Sequence, residues 1–501
     1  MSELLRKGRL SRARKDVVEF TSSIKADKKI LRHVVSINKA HVVMLVEQGI
    51  INQNDGSKIL GALAKLDKGI EPSPDAEDAH MAVEEQVFKD VGEDVGGNLN
   101  LAKSRNDQVA TAIRMSLREE IIGLAEAVQK IQGALMQKSR EHLDTIIPGY
   151  THLQPAQPVT FAHYLIAQLD ALERDLERLQ EAYRRVDLCP MGAGALATTS
   201  FPIGRERVAD LLGFDGILEN SLDAVTARDF VLEILATLSI AAVDITRFVE
   251  DLILWSTAEF GLIELPDEFA FTSSIMPQKK NPDVLEVIRA RMSLILGDFI
   301  ASAATLKGLP SAYNLDYQEI TPRLWSAVDS AKECWEILAK VVPNLKVNPI
   351  PPDKAALSFL TSSEFANMLV RNHKVPFRTA HRITGALTRV LIEEGKSLRD
   401  AAPELLAEVS QRTVGFPLKV KMREIDDVVE PSDFVESHKA RGGPSKVEVK
   451  RMLKARRRLL ALSEEWLSNK RTKLEEAEGT LNCQVKAFTD MSKEDLPNRN
   501  V

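Results

Sequence analysis

The stretch Ser273-Ser274-Ile275-Met276-Pro277-Gln278-Lys279-Lys280-Asn281-Pro282-Asp283 gathers two hydroxyls, a lysine and an amide into a segment without helical or strand periodicity. Pro277 and Pro282 interrupt any regular hydrogen-bond ladder, and Lys279 and Asn281 offer a cation and an amide donor to a single anion. A solvated interhelical turn is the alternative for the Lys-Lys-Asn-Pro wording alone. Two other clusters have chemical potential. Ser104, Arg105 and Asn106 open a long apolar-periodic stretch, where free amides and a helix dipole favour an anion, although a capping serine with polar neighbours would look the same. Thr151 and His152 lie in a loop hemmed by Pro148, Pro155 and Pro158, where an imidazole is either exposed and structural or poised for proton transfer.

Long helices must position these clusters. Over residues 107–143 no proline intervenes, and Ile113, Leu117, Ile121, Leu124, Val128, Ile131 and Leu135 recur at steps of three and four, which predicts a helix with a coiled-coil-like seam. Residues 161–186, 224–262, 283–306 and 322–341 read similarly, and five such helices bury their stripes only by packing as a bundle. The run 229–254 is apolar on more sides than one buried face requires, which places it deep in a bundle or in a subunit interface. Shorter helices are predicted over 20–93, broken at Pro72-Ser73-Pro74, and again after a proline-rich break at 349–352 up to the Gly442-Gly443-Pro444 turn. The fold class is therefore all-α, with domains at 1–105, 106–350 (the central five-helix bundle) and 351–501, the last ending in a charged tail read as a helix with a frayed end.

Composition narrows the function classes. The 501 residues are 44% hydrophobic but only 5% aromatic, which favours aliphatic helix packing over an aromatic-rich β sandwich. A net charge of -6 with interspersed signs argues against nucleic acid, which wants a concentrated basic surface. The basic run 450–458 is the local exception and reads as the solvated face of an amphipathic helix around Met452 and Leu453. Three cysteines without CxxC spacing argue against a disulfide framework or structural zinc. With no signal-like apolar segment at the N-terminus and no apolar run near the roughly 20 residues that span a bilayer, a cytoplasmic protein is expected.

The segment from Ser273 to Asp283 resembles the signature loop of the fumarase/aspartase superfamily, and its Gln-Lys-Lys-Asn-Pro wording resembles the argininosuccinate lyase branch. Ser104-Arg105-Asn106-Asp107-Gln108-Val109-Ala110-Thr111 and Pro148-Gly149-Tyr150-Thr151-His152-Leu153-Gln154-Pro155-Ala156-Gln157-Pro158 are similar to that branch's other two motif blocks, in the same order. The resemblance extends over about residues 20–444. It implies a small helical domain on each side of a five-helix domain, homotetramers around a twenty-helix core, active sites built from three subunits, and β-elimination of argininosuccinate to arginine and fumarate without metal or organic cofactor.

Such an elimination removes a proton beside a carboxylate, so the transition state carries a localised double negative charge. It needs preorganised donors, a base over the carbon and an acid at the leaving nitrogen. The resemblance implies that Ser273 is the base, as an alkoxide stabilised by Lys279 and backbone donors, with Ser274 and Asn281 at the carboxylate. It further implies that His152 pairs with Glu286 to help deliver a proton, that Ser104, Arg105, Asn106 and Thr151 contact the substrate, that Ser23 and Asp27 hold its amino-acid end, that Tyr313 and Gln318 contact the other end, and that Asp78 and His80 line the site. Departures from the branch's common wording stand at Thr272 for glycine, Asn100-Leu101 for His-Thr, Lys103 for arginine, Thr321 for a substrate-contacting lysine and Leu315 for a basic residue. The rival readings are another fumarate-releasing lyase such as adenylosuccinate lyase, aspartase or fumarase, a crystallin-like structural protein, and an arginine-binding regulatory module.

Overall fold

The computed structural model describes residues 13–72, 76–348 and 355–494. Ser73 and Pro74 of the first expected break, and the whole 349–352 break, lie outside the described residues. Five N-terminal helices come first: α1 (Lys15–Thr21), α2 (Leu31–Glu47), α3 (Gln53–Lys65), α4 (Ala79–Val91) and α5 (Glu93–Gly96). The body follows with α6 (Arg105–Glu141), α7 (Phe161–Val186), the short α8 (Arg205–Leu211) and α9 (Ser221–Thr226), then α10 (Asp229–Trp255), α11 (Asp283–Leu306) and α12 (Tyr317–Asn344). A C-terminal group comprises α13 (Ser362–His373), α14 (Phe377–Glu393), α15 (Pro403–Val414), α16 (Met422–Val429) and α17 (Pro431–Ser437), and α18 (Lys446–Glu494) closes the chain.

The long helices α6, α7, α10, α11 and α12 form the bundle: α6 packs against α7 and α12, α10 against α7 and α11, and α11 against α12. All seven residues of the predicted α6 seam are buried, so the three-and-four spacing acts as read. Helices α7 and α11 have the expected bounds. The other two do not. The stretch expected as one helix over 224–262 divides at Arg228, whose backbone leaves helical geometry, and ends at Trp255 before Gly261 takes a positive φ. Helix α12 starts five residues before Pro322 and carries that proline and Pro343 inside it.

The N-terminal helices and α18 share one continuous core with the bundle, to which Val449, Met452, Leu453, Leu467, Leu481 and Val485 contribute. Helices α13–α16 have their own core around Phe365, Leu387, Leu406 and Ile425, and α17 packs on α16. Within the 450–458 run Arg457 and Arg458 face solvent while Met452 and Leu453 are buried, the amphipathic division expected of it. Cys189 and Cys334 are buried and Cys483 exposed, all three free.

Three short antiparallel pairings interrupt the helices: β1 (Ile146–Thr151) with β2 (Gln154–Thr160), β3 (Ile263–Glu264) with β6 (Lys346–Val347), and β4 (Phe271–Thr272) with β5 (Lys280–Asn281). Two of them correct the sequence reading. The proline-hemmed segment around His152 is a hairpin, and the serine segment is pinned at its base by a two-residue ladder. Isolated two-strand ribbons tolerate the prolines because one edge of each strand needs no ladder partner.

One buried ion pair fastens the body internally. Arg118 is 2% exposed; its Nη1 donates to Asp187 at 2.7 Å and to the Gly213 carbonyl, its Nη2 donates to the Leu212 carbonyl, and its guanidinium stacks 3.9 Å from the Phe214 ring centroid. Lys470 and Lys473 of α18 face the same carboxylate at 3.7 and 3.9 Å. Removing one partner of a buried pair leaves a desolvated charge at a cost of about 3–5 kcal/mol. Arg118→Met should therefore lower stability by about that amount in urea unfolding, and an unchanged midpoint would show that the pair contributes nothing net.

Candidate active site

At the start of α6 a cavity of about 170 Å³ brings together Ser23, Asp27, Asp78, His80, Arg105, Asn106, Arg228, Tyr313 and Gln318. Sequence-distant residues meet here because α6, α10 and α12 begin at the same end of the bundle as the Ser23–Asp27 turn. Ser104 caps α6 by accepting the Asn106 N–H, and Asp107 accepts the Ser104 N–H in return. The other oxygen of the fully buried Asp107 accepts the N–H groups of Gly192 and Gly194 at 3.1 and 2.9 Å. At Gly194, with φ +64°, an added Cβ would stand 2.7 Å from the Thr198 carbonyl oxygen. That loop returns to the cavity wall, where the Asn106 amide donates to the Ala195 carbonyl.

The cavity is charged on both sides. Arg105 Nη1 donates to Asp78 at 2.9 Å, whereas its Nη2 is buried without a partner. Arg228, 3% exposed, gives Nη1 to the Val225 and Ala227 carbonyls and stacks over Tyr317, leaving Nε and Nη2 unpartnered. Buried donors without acceptors are costly, so two guanidinium groups held this way suit an anionic ligand. Asp27 accepts from Ser23 Oγ at 2.9 Å and from the Ala79 N–H at 3.0 Å, with no cation paired to it among the described residues. Burial raises its pKa to about 6, against the effect of those hydrogen bonds. Burial likewise holds the His80 imidazole below its ordinary range. Thr321 and Leu315, two of the departures, both line this cavity.

The serine segment lies elsewhere. Between β4 and β5 the chain from Ser273 to Lys279 is mostly exposed, and Ser273 Oγ accepts the N–H groups of Ile275 and Met276 at 3.3 and 3.2 Å. Lys280 ties the loop base to Asp267 at 2.7 Å and Glu264 at 3.1 Å. Its neighbour Lys279 has no ion pair among the described residues and faces solvent, as does Ser274, while Asn281 is half-buried in β5 opposite Phe271. Glu286 projects, exposed, from the first turn of α11.

Thr151 and Gln154 are the last pair of the β1–β2 ladder, so His152 and Leu153 form its two-residue turn, with φ of 55° and 58°. Two successive left-handed residues are the geometry of a type I′ turn, which glycine and asparagine adopt readily and other L-residues at about 1–2 kcal/mol each. Held strain of this kind concentrates at functional positions. Both residues are exposed, and no hydrogen bond or ion pair joins His152 to Glu286 among the described residues.

None of Thr151, His152, Ser273, Ser274, Lys279, Asn281 or Glu286 lines the cavity. Helix lengths explain the separation. The 37 residues of α6 put about 55 Å between Arg105 and the root of the hairpin, and the 24 residues of α11 put about 36 Å between the serine segment and the approach to Tyr313. The predicted residues thus divide into a binding cavity at one end of the bundle and two exposed segments rooted at the other. Arg228 was missed by the sequence reading; the available signal was a lone arginine at a helix N-terminus, where the dipole disfavours a cation.

Comparison with known proteins gives consistent likenesses. A family model described as lyase matches residues 8–297, and one described as argininosuccinate lyase C-terminal matches residues 359–436. Argininosuccinate lyase of Methanocaldococcus jannaschii is 41% identical over 94% of this chain and 97% of its own length. That of Methanosarcina barkeri is 42% identical over 92% and 94%. Among solved structures, EDDS lyase in complex with formate superimposes with a TM-score of 0.85 at 31% identity, covering 93% of each chain. Class II fumarase from Schistosoma mansoni, at 17% identity, TM-score 0.67 and coverage of 82% and 91%, shares the fold.

An unpaired carboxylate with a pKa of about 6 sets a pH dependence. Above that value Asp27 is ionised and attracts an ammonium group; below it the proton removes the attraction. Calorimetric binding of L-arginine should weaken as pH falls through about 6, while Asp27→Asn should bind weakly and without that pH dependence. Equal binding by the variant would exclude Asp27 from the cavity's recognition of amines.

Proposed function

The chain belongs to the argininosuccinate lyase family and is a carbon–nitrogen lyase that splits argininosuccinate into arginine and fumarate; we propose that it does so with Ser273 as base, at a site completed by other copies of the chain. Ser273 Oγ takes the proton from the carbon beside a succinyl carboxylate, the carbon–nitrogen bond breaks as the carbon–carbon double bond forms, and the departing guanidine nitrogen receives a proton with the help of His152. Lys279 and Asn281 meet the carboxylate whose charge doubles, assisted by Ser274 and Thr151. The cavity holds the rest of the substrate: Asp27 and Ser23 at the ammonium of the amino-acid end, Arg105 and Asn106 at carboxylates, Tyr313 and Gln318 toward the other end. Arg228 adds a second guanidinium where many family members place a lysine at Thr321.

The observation that carries the base assignment is the pair of backbone N–H groups on Ser273 Oγ. A serine hydroxyl is a poor base, and fixed donors at its oxygen beside an uncommitted lysine stabilise the alkoxide that the step needs. The loop donates two amides without a side chain having to move, and closing it over substrate would exclude water.

Division of the site supports assembly of the chain with itself. Helix lengths of about 36–55 Å exceed the span of one small substrate, which supports drawing the two ends of a site from different copies. A surface for that assembly exists. Val287, Leu294, Leu296 and Ile300 of α11, Ile240 and Val243 of α10, and Ile337 of α12 are exposed large apolar residues. Exposed apolar side chains gathered on bundle helices are suited to an interface. We read the assembly as a homotetramer, with Glu286 reaching His152 between copies. A cytoplasmic setting and a role in arginine biosynthesis belong to the same reading, in keeping with three free cysteines.

Fumarate release, followed by ultraviolet absorbance, tests the proposal. Argininosuccinate should be turned over, and adenylosuccinate, aspartate and malate should not. Ser273→Ala should reduce kcat by about 10²–10⁴-fold, the usual worth of a general base, with substrate binding retained. Near-normal turnover by that variant would remove Ser273 from the role.

A further inference from the structure

The hairpin that carries His152 cannot hold itself in place. A two-strand ribbon is marginally stable in water, and this one has a strained turn and a bulge between Gly149 and Tyr150. Glycine is required at the bulge, because a Cβ at Gly149 would lie 2.8 Å from the Gln157 carbonyl oxygen of the opposite strand. On one side Tyr150 meets Phe260, with ring centroids 5.4 Å apart. The other side is held by the C-terminal group of helices. Helix α17 packs against β2, and Gln157 Nε2 donates to Ser363 Oγ in the first turn of α13 at 3.0 Å.

The root of the hairpin is tied to the segment that follows α17. His163, in the first turn of α7 just beyond β2, contacts the Gly442 carbonyl through Nε2 at 3.0 Å, and Lys446 pairs with Asp144, just before β1, at 2.6 Å. The turn between α17 and α18 leaves little slack. Gly442 has φ +86°, a Cβ at Gly443 would stand 2.4 Å from the His438 carbonyl oxygen, and Glu448 accepts the Gly442 N–H at 2.7 Å. Helices α13 and α17 thus grip the hairpin along β2, while the turn after α17 and the start of α18 hold its base.

We propose that the α13–α17 domain is a brace that sets the position of the His152 turn, and that Gln157 and Ser363 are the positioning residues through which it acts on the strand. This rests on the reading of His152 as a catalytic residue. Neither Gln157 nor Ser363 touches the cavity, and both are exposed, so they add little to the core. Their bond fixes the lateral position of β2 about three residues from the turn. Misplacement of a catalytic group by a fraction of an ångström costs rate rather than ground-state binding.

The test uses the full-length protein with argininosuccinate, comparing Gln157→Ala, Ser363→Val, the double variant, Ser363→Thr and His152→Asn. Each single removal should lower kcat about three- to tenfold with KM changed less than about twofold, the worth of one lost hydrogen bond expressed in the rate step. The double variant should lose no more than either single one, since both break the same contact. Ser363→Thr, which keeps the hydroxyl, should recover most of kcat, whereas Ser363→Val, equal to threonine in shape, should not. Thermal unfolding of all variants should match the parent within a few degrees. Unchanged kcat in Gln157→Ala and Ser363→Val, additive losses, or equal losses in the threonine and valine variants would overturn the brace. If His152→Asn itself turns over normally, the catalytic reading fails and the brace with it; if only His152→Asn is slow, the brace alone fails.

Discussion

The length of the bundle helices is the constraint on which the rest of this molecule depends. A helix rises 1.5 Å per residue and does not fold back, so α6, α10 and α11 hold their two ends tens of ångströms apart. What begins at one end is a cavity rich in charge; what is rooted at the other is a pair of exposed segments that carry Ser273 and His152. In the proposed assembly, the same rigidity would set their relation between chains through the packing of the helices. In that proposal the exposed aliphatic side chains on α10, α11 and α12 serve the active site by holding copies of the chain together.

Charge is arranged to be incomplete at both ends. Among the described residues, Arg105 and Arg228 keep buried donors without acceptors, Asp27 is a buried carboxylate without a cation, and Lys279 has no ion pair beside the tethered Lys280. In the proposed reading, each is met by one part of a zwitterionic, multiply carboxylated substrate. The ion pairs that carry structure differ in kind. Arg118 donates three hydrogen bonds, to Asp187 and two carbonyls, and with Lys470 and Lys473 on the same carboxylate it fastens the body to α18.

Legibility in the sequence follows the same division. The bundle was readable because burial imposes a three-and-four spacing that proline does not interrupt, and α7 and α11 appear with the bounds read from residues 161–186 and 283–306. The helices α10 and α12 were misplaced at their ends, since Arg228 carries no breaker signal and Pro322 is a misleading one. The hairpin under His152 was invisible for two reasons: its prolines erase the alternation of a strand, and its turn lacks the glycine or asparagine that usually announces two left-handed residues. At the site, resemblance supplied residue names; the cavity later collected Ser23, Asp27, Arg105, Asn106, Tyr313 and Gln318. Arg228 and the amides on Ser273 Oγ escaped notice, the first because a single arginine has no motif, the second because backbone donors have no sequence signature at all.

Subunit mixing tests the divided site most directly. Ser273→Ala and His152→Asn proteins, each inactive alone, are combined under conditions where exchange of subunits is demonstrated independently by a mass or fluorescence label, and fumarate release from argininosuccinate is then measured. The account predicts that activity reappears in the mixed assemblies, because some sites then draw an intact serine loop and an intact histidine turn from different chains. Demonstrated exchange with no recovered activity would place both groups of one site on one chain and contradict it.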